Sequence, residues 1–264
     1  MSRQGIVEAT TSEWIKFKTV RSTIYTLLVT FVMCVGIGAL ISFARGSHVA
    51  NQPGGGSFLI DPTRVSLQGF ALAEIAIGVV GVLIISSEYA TGSIRSTLAA
   101  TPRRLSVLAA KTAVLFASTL VVGELCSFTS FFIGQAILRG QGATSATLAS
   151  PGALRGVVLA GLSLALLAVV AMGIGTMLRH TAGSITAYVA ILLVAFLIVA
   201  ALPQSWQNDV AKFLPEVLTE SMRAATTSGS DFSAFSALTS TLVLVGYAVA
   251  SLAGGAFVLL RRDA

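Results

Sequence analysis

Charge is what this sequence has least of. Asp, Glu, Lys and Arg make up 11% of its 264 residues, while 55% are hydrophobic. Soluble domains carry about 25% charge, which keeps a water-facing surface hydrated, and there is too little here to coat a globule of this length. Lipid as the solvent for most of the surface removes the contradiction. Cysteine is nearly absent too. Cys34 and Cys126 both fall within apolar runs and read as small buried side chains, and two thiols make neither a disulfide framework nor a zinc site. No GxxxxGK[ST] phosphate loop occurs, and the run Pro53-Gly54-Gly55-Gly56 has no Lys-Ser or Lys-Thr behind it, so it reads as a flexible loop. If the protein uses ATP, another chain must bind it. HExxH and GxSxG are missing, and the two histidines, His48 and His180, are predicted about a membrane thickness apart. Catalysis needs groups converging at one depth, so the chain is not read as an enzyme. The net charge of +6 does not mark a nucleic-acid binder, because the basic residues flank apolar runs instead of interleaving with aromatics.

What the sequence does have is long apolar runs. A helix needs roughly 20 apolar residues to cross about 30 Å of hydrocarbon. Six candidate spans result, at about 24–44, 66–87, 107–138, 156–178, 182–202 and 238–260, which makes residues 1–264 a single all-α integral membrane domain. The first run is longer than the about 7–15 apolar residues of a signal peptide and is expected to be retained. With the N-terminus inside, one side collects Arg3, Lys16, Lys18, Arg21, Arg95, Arg103, Arg104, Lys111, Arg179, Arg261 and Arg262. The other holds Arg45, Arg64, Arg139, Arg155, Lys212 and Arg223. The basic excess therefore predicts that both termini are cytoplasmic.

Three segments between spans carry further expectations. Before the first span, Thr10 and Glu13 have capping-box spacing, and Trp14, Ile15, Phe17 and Val20 mix with Lys16, Lys18 and Arg21, which predicts an interfacial helix in the headgroup layer. The inner loop, 87–111, concentrates Glu88, Arg95, Arg103 and Arg104. A short helix fits 93–100, with Gly92 before it, Pro102 after it, and Ile94 and Leu98 on one face. It reads either as a docking element for a soluble partner or as an ordinary positive inner loop. Between spans five and six, Val210, Phe213, Leu214, Val217 and Leu218 recur at helical spacing, which predicts one or two short amphipathic helices on or dipping into the outer leaflet.

Glu74 and Glu124 fall inside spans two and three, Glu74 roughly 9 Å from the outer end and Glu124 roughly 20 Å beyond Lys111. An acid at bilayer depth costs at least about 2.5–3.5 kcal/mol, so it faces the bundle or a wet cavity. Both are candidates for a substrate pathway. They could recognise a cationic substrate, be protonated, or pair with Ser, Thr or Gln135. The paired glycines of the spans, among them Gly78 and Gly81 and Gly173 and Gly175, read as close helix contacts.

Segment 87–111 resembles the cytoplasmic loop of the type-2 ATP-binding-cassette (ABC) permeases, especially actinobacterial ones. The matching residues are Glu88-Tyr89, Thr91-Gly92-Ser93-Ile94-Arg95, Leu98, Pro102-Arg103-Arg104 and Lys111. Ser12-Glu13-Trp14 with Lys16 and Arg21 add to it, as do Gly173-Ile174-Gly175 and Leu178-Arg179-His180-Thr181-Ala182-Gly183, so the likeness covers nearly the whole chain. The resemblance implies an exporter permease in a bacterial inner membrane, working as two permease chains, identical or paralogous, with two ATPase chains that bind ATP and Mg, and with no cofactor bound by this chain. It implies that Glu88, Tyr89, Gly92, Ile94, Arg95, Leu98, Arg103 and Arg104 couple to the ATPase, that Glu13, Trp14, Lys16 and Arg21 belong to the N-terminal helix that also contacts it, and that 203–236 is a re-entrant outer segment. His180 reads as a turn residue. The alternative, suggested by Glu74 and Glu124, is an ion-gradient-driven secondary transporter or channel.

Overall fold

The computed structural model describes residue 14 and residues 21–50, 61–93, 104–226 and 234–261, and among these the secondary structure is helical throughout. The elements are α1 (Arg21–Ala50), α2 (Pro62–Ser66), α3 (Phe70–Thr91), α4 (Arg104–Gly140) and α5 (Ala153–Leu178). There follow α6 (Thr181–Val189), which runs through a π turn (Ala190–Val194) into α7 (Ala195–Ala200), and then α8 (Gln204–Val210), a 3-10 turn (Ala211–Phe213), α9 (Pro215–Arg223) and α10 (Ala237–Arg261). Six helical rods, α1, α3, α4, α5, α6 with α7, and α10, are long and apolar enough to cross a membrane.

They overlap the six expected spans with ends that differ by up to six residues: the first rod runs on to Ala50 and the second lies four residues later than expected. Asp61 caps α2 through its side chain, and the chain turns at Leu67–Gly69 before α3 begins at Phe70, so residues 66–69 are not part of the long helix. At 37 residues, α4 is about 55 Å long, well beyond the about 30 Å of hydrocarbon, so it tilts or projects out of it.

α5 is the hub. It packs against α3, α4 and α10, while α1 lies across α3 and α4. Of the most apolar stretch of α5, 78% is buried, against 22% for α1, the α6–α7 rod and α10. The first is therefore surrounded by protein. The other three are peripheral and turn Leu28, Val32, Leu197, Ile198, Leu238 and Leu242 outward. Apolar contact between helices gains little over contact with lipid, so close packing has to hold the bundle. Gly123 and Gly161 supply it where α4 crosses α5: a Cβ on Gly123 would sit 2.6 Å from the Gly161 carbonyl oxygen. Many hydroxyls inside the spans bond to their own helix, as when Ser118 Oγ donates to the Val114 carbonyl (2.7 Å) and Thr119 Oγ1 to that of Leu115 (2.7 Å), so these cost little in an apolar setting.

The alternating direction of the rods gives the bundle two ends. One gathers α2, α9 and the loops at Asp61 and Ala225. The other gathers the end of α3, the start of α4, the α5–α6 turn and the end of α10.

Candidate functional site

Each end carries a cluster of charged side chains. At the first end Glu74, one turn into α3, is fully buried and pairs with Arg223 at the last position of α9. The guanidinium also reaches Glu216 (Nη2 to Oε1, 3.6 Å) and lies over the Phe70 ring (5.9 Å to its centroid). Burial pulls the Arg223 guanidinium down, but the charges of Glu74, Glu216 and Glu220 more than offset this, so it stays protonated, above the ordinary arginine value. On the other side of Glu74, the buried Tyr188 donates its O–H to the Glu74 backbone carbonyl (2.9 Å) and packs its ring where Gly78 leaves room, just before the π turn.

Further contacts fasten α9 and the chain after it. Arg64 of α2 pairs with Glu220. Asp61 accepts from the Thr63 N–H through Oδ1 (2.9 Å) and from the Ala225 and Thr226 N–H groups through Oδ2 (2.6 and 3.1 Å). Arg155 donates to the carbonyls of Ala224 and Ala225 (3.1 and 3.2 Å). Val217, Leu218 and Met222 are buried against the bundle. The one or two amphipathic helices expected on or dipping into the outer leaflet thus include one, α9, that spends its apolar face on protein, whereas α8 buries none of its residues. A cleft of about 330 Å³ opens beside Asp61, lined also by Thr144, Ser145, Pro151 and Thr226.

At the opposite end Lys111 of α4 is 1% exposed and pairs with Glu88 of α3 at 2.7 Å. Arg179 lies over the Tyr89 ring (5.1 Å) and donates to the Val258 carbonyl (3.1 Å), while Arg104 donates to that of Leu259 (2.9 Å). Two guanidiniums thus satisfy carbonyls of the last turn of α10, where the helix dipole favours positive charge. Gly92 ends α3 in the left-handed conformation (φ 71°), and His180 caps α6 by accepting the Gly183 N–H on Nδ1 (3.1 Å).

Of the residues singled out from sequence, Glu88, Tyr89, Gly92 and Arg104 therefore stand together, with Glu88 and Tyr89 turned toward bundle partners. Trp14 is helical and exposed, and Arg21 opens α1. Glu13, Lys16, Ile94, Arg95, Leu98 and Arg103 lie outside the described residues. Glu124 joins neither cluster. It is half-buried where α4 meets Gly161, and its Oε2 makes no hydrogen bond among the described residues. Gln135 serves neither acid. It donates to the Pro62 carbonyl and to Ser66 Oγ, and accepts the Ala146 N–H. Among the described residues no three His, Cys, Asp or Glu side chains converge on a metal position.

Sequence reasoning missed Arg223, Asp61 and Tyr188. For Arg223 a signal existed, since an acid buried in a span calls for a cation, but nothing in the chain indicates a partner 149 residues away. No protein-family model matches the chain, and no curated protein sequence matches it.

Proposed function

We propose that this chain is the permease subunit of an ATP-binding-cassette exporter in a bacterial inner membrane, with both termini cytoplasmic. In this reading it works as a homo- or heterodimer with a separate ATPase that binds ATP and Mg. Residues 93–100 are assigned the role of coupling helix, the segment around Trp14 that of an interfacial helix that also contacts the ATPase, 203–236 is the outer segment, and no catalytic step belongs to this chain.

The observation that carries the reading is the frame around the segment with the family resemblance. The two helices leading into and out of 94–103 are bound to each other by Glu88 and Lys111, and Gly92 turns the chain out of α3 immediately beforehand. Two stiff helices tied at their ends form a lever. A push on the segment between them moves α3 and α4 together, as coupling to an external motor requires. The six apolar rods and the missing phosphate-binding loop agree with a membrane subunit driven by another chain.

The test is co-purification. The tagged chain, expressed with the ATPase encoded nearest to it, should retain that ATPase in detergent and lose it when Ile94, Arg95 and Leu98 are replaced by Ala, Glu and Ala. These positions suit the test better than Glu88, whose charge reversal would also set two cations against each other at Lys111. An inserted, folded chain that never associates with an ATPase would overturn the reading in favour of an ion-coupled transporter, with Glu74 and Glu124 as the acids to examine.

A further inference from the structure

We propose that Glu74 and Glu216, bridged by Arg223, hold one proton between them, and that this proton fastens α9 to α3. Arg223 offers Nη1 to Glu74 and Nη2 to Glu216, so one guanidinium serves two carboxyls. Glu74 is fully buried, and its Oε2 has no hydrogen-bond partner among the described residues. An ionised carboxylate oxygen sealed from water with no donor is among the most costly arrangements in a protein interior. A proton on the pair removes the excess charge and turns the orphaned acceptor into a hydroxyl.

Among the described residues no further cation faces the pair, and the Thr219 hydroxyl of α9, which lies beside the Glu74 carboxyl, is drawn to the Glu216 backbone carbonyl (3.0 Å). On α2, Arg64 is engaged by Glu220 of α9, and these two charges cancel. On α6, the Tyr188 O–H is already committed to the Glu74 carbonyl. On α1, the buried Cys34 thiol has Cys126 as its neighbour and brings no positive charge. At the rim, Arg155 and Asp61 carry opposite charges and bind backbone beyond α9. Glu74, Glu216, Glu220, Arg64 and Arg223 therefore sum to one negative charge, which a single proton neutralises. Glu216 is 28% exposed on its side chain, so the proton has a route to water along the outer flank of α9 while Glu74 has none.

The sign follows. Below the release pH the cluster is neutral and α9 is docked. As pH rises through release, a buried negative charge appears that only water can stabilise, and undocking supplies the water. The inference does not depend on the export reading, because nothing in it uses ATP or transport.

Two measurements on the full chain in lipid test it. The first is an infrared titration. The wild type should show a protonated-carboxyl carbonyl band that fades as pH rises. In a Glu124→Gln background, which removes the other carboxyl left unpaired inside a span, the band should persist, and adding Glu74→Gln or Glu216→Gln should each abolish it, because either change leaves one carboxylate facing one guanidinium. The second replaces the buried Met222 with Cys and follows maleimide labelling in a Cys34→Ala, Cys126→Ala background. The labelling rate, divided at each pH by that of the same protein unfolded in detergent so that titration of the thiol itself cancels, should climb about tenfold per pH unit through the transition, as release of one proton requires, and become flat when Glu216→Gln is added. Glu216 is partly exposed, so that variant keeps the test open should Glu74→Gln fail to fold. A band that survives Glu74→Gln or Glu216→Gln in the Glu124→Gln background, or normalised labelling indifferent to pH in the Met222→Cys protein, would overturn the proposal.

Discussion

Lys111 Nζ meets Glu88 Oε1 at 2.7 Å, with the lysine 1% exposed and the glutamate 12%. A carboxylate is thus the partner of a thoroughly buried lysine, and the pair belongs to the two helices that bracket residues 94–103. Removing one partner of such a pair costs about 3–5 kcal/mol, because the survivor is stranded away from water. Lys111→Met and Glu88→Gln are each expected to lower the unfolding temperature in detergent. The double variant should fall by less than the sum of the two. Strictly additive losses would show that the contact is idle.

Gly92 leads to a second prediction. Its φ of 71° is a conformation in which a Cβ meets its own carbonyl oxygen, although the space around Gly92 is open. Gly92→Ala should therefore cost about 1 kcal/mol or somewhat more through backbone strain alone, and Gly92→Asn distinctly less, since asparagine tolerates this region. Thermal unfolding of the two variants side by side decides it. Equal losses would mean that the side chain meets an obstacle.

The α4–α5 crossing makes a third case. A Cβ on Gly123 would come within 2.6 Å of a backbone oxygen, which cannot rotate away. Gly123→Ala is expected to push the helices apart at a cost of about 1–3 kcal/mol. Gly36→Ala, on a part of α1 with nothing within 4 Å, serves as the control and should raise the melting temperature slightly, since Ala is the better helix former.

Asp61 joins the start of α2 to the chain beyond α9 through one carboxylate. Asp61→Ala removes a helix cap, worth about 1 kcal/mol, and also frees the Ala225 and Thr226 amides. Hydrogen exchange should therefore accelerate at 225–226 as well as at 63–64. Acceleration confined to 63–64 would show that the longer-range arm of the clasp contributes nothing.

Tyr188→Phe deletes one hydrogen bond, to the Glu74 carbonyl. Because bonds between membrane helices average about 0.6 kcal/mol, the loss should be small, whereas Gly78→Ala, which drives a methyl into the same ring, should be clearly more damaging. A large effect of Tyr188→Phe would indicate that the hydroxyl does more than hold α6 against α3.

The sequence by itself determined the membrane setting and the helical rods. Twenty or so apolar residues in a row can satisfy their backbone in lipid only as a helix, so the spans can be read locally, one at a time. It also marked Glu74 and Glu88 as unusual, because charge in so apolar a chain stands out. What it could not supply was their partners. Arg223 looked like an ordinary loop arginine and Lys111 like a flanking charge, since pairing depends on which helices touch, and apolar surfaces that lipid solvates as readily as protein carry little information about that. Only the tertiary structure decided that α5 would be the hub, through backbone contacts such as Gly123 with Gly161, and that α9 would bury its apolar face in the bundle. The spacing of Val217 and Leu218 is the same whether a helix rests on lipid or on protein. The ion pairs with Glu74 and Arg64, from distant parts of the chain, draw α9 onto protein.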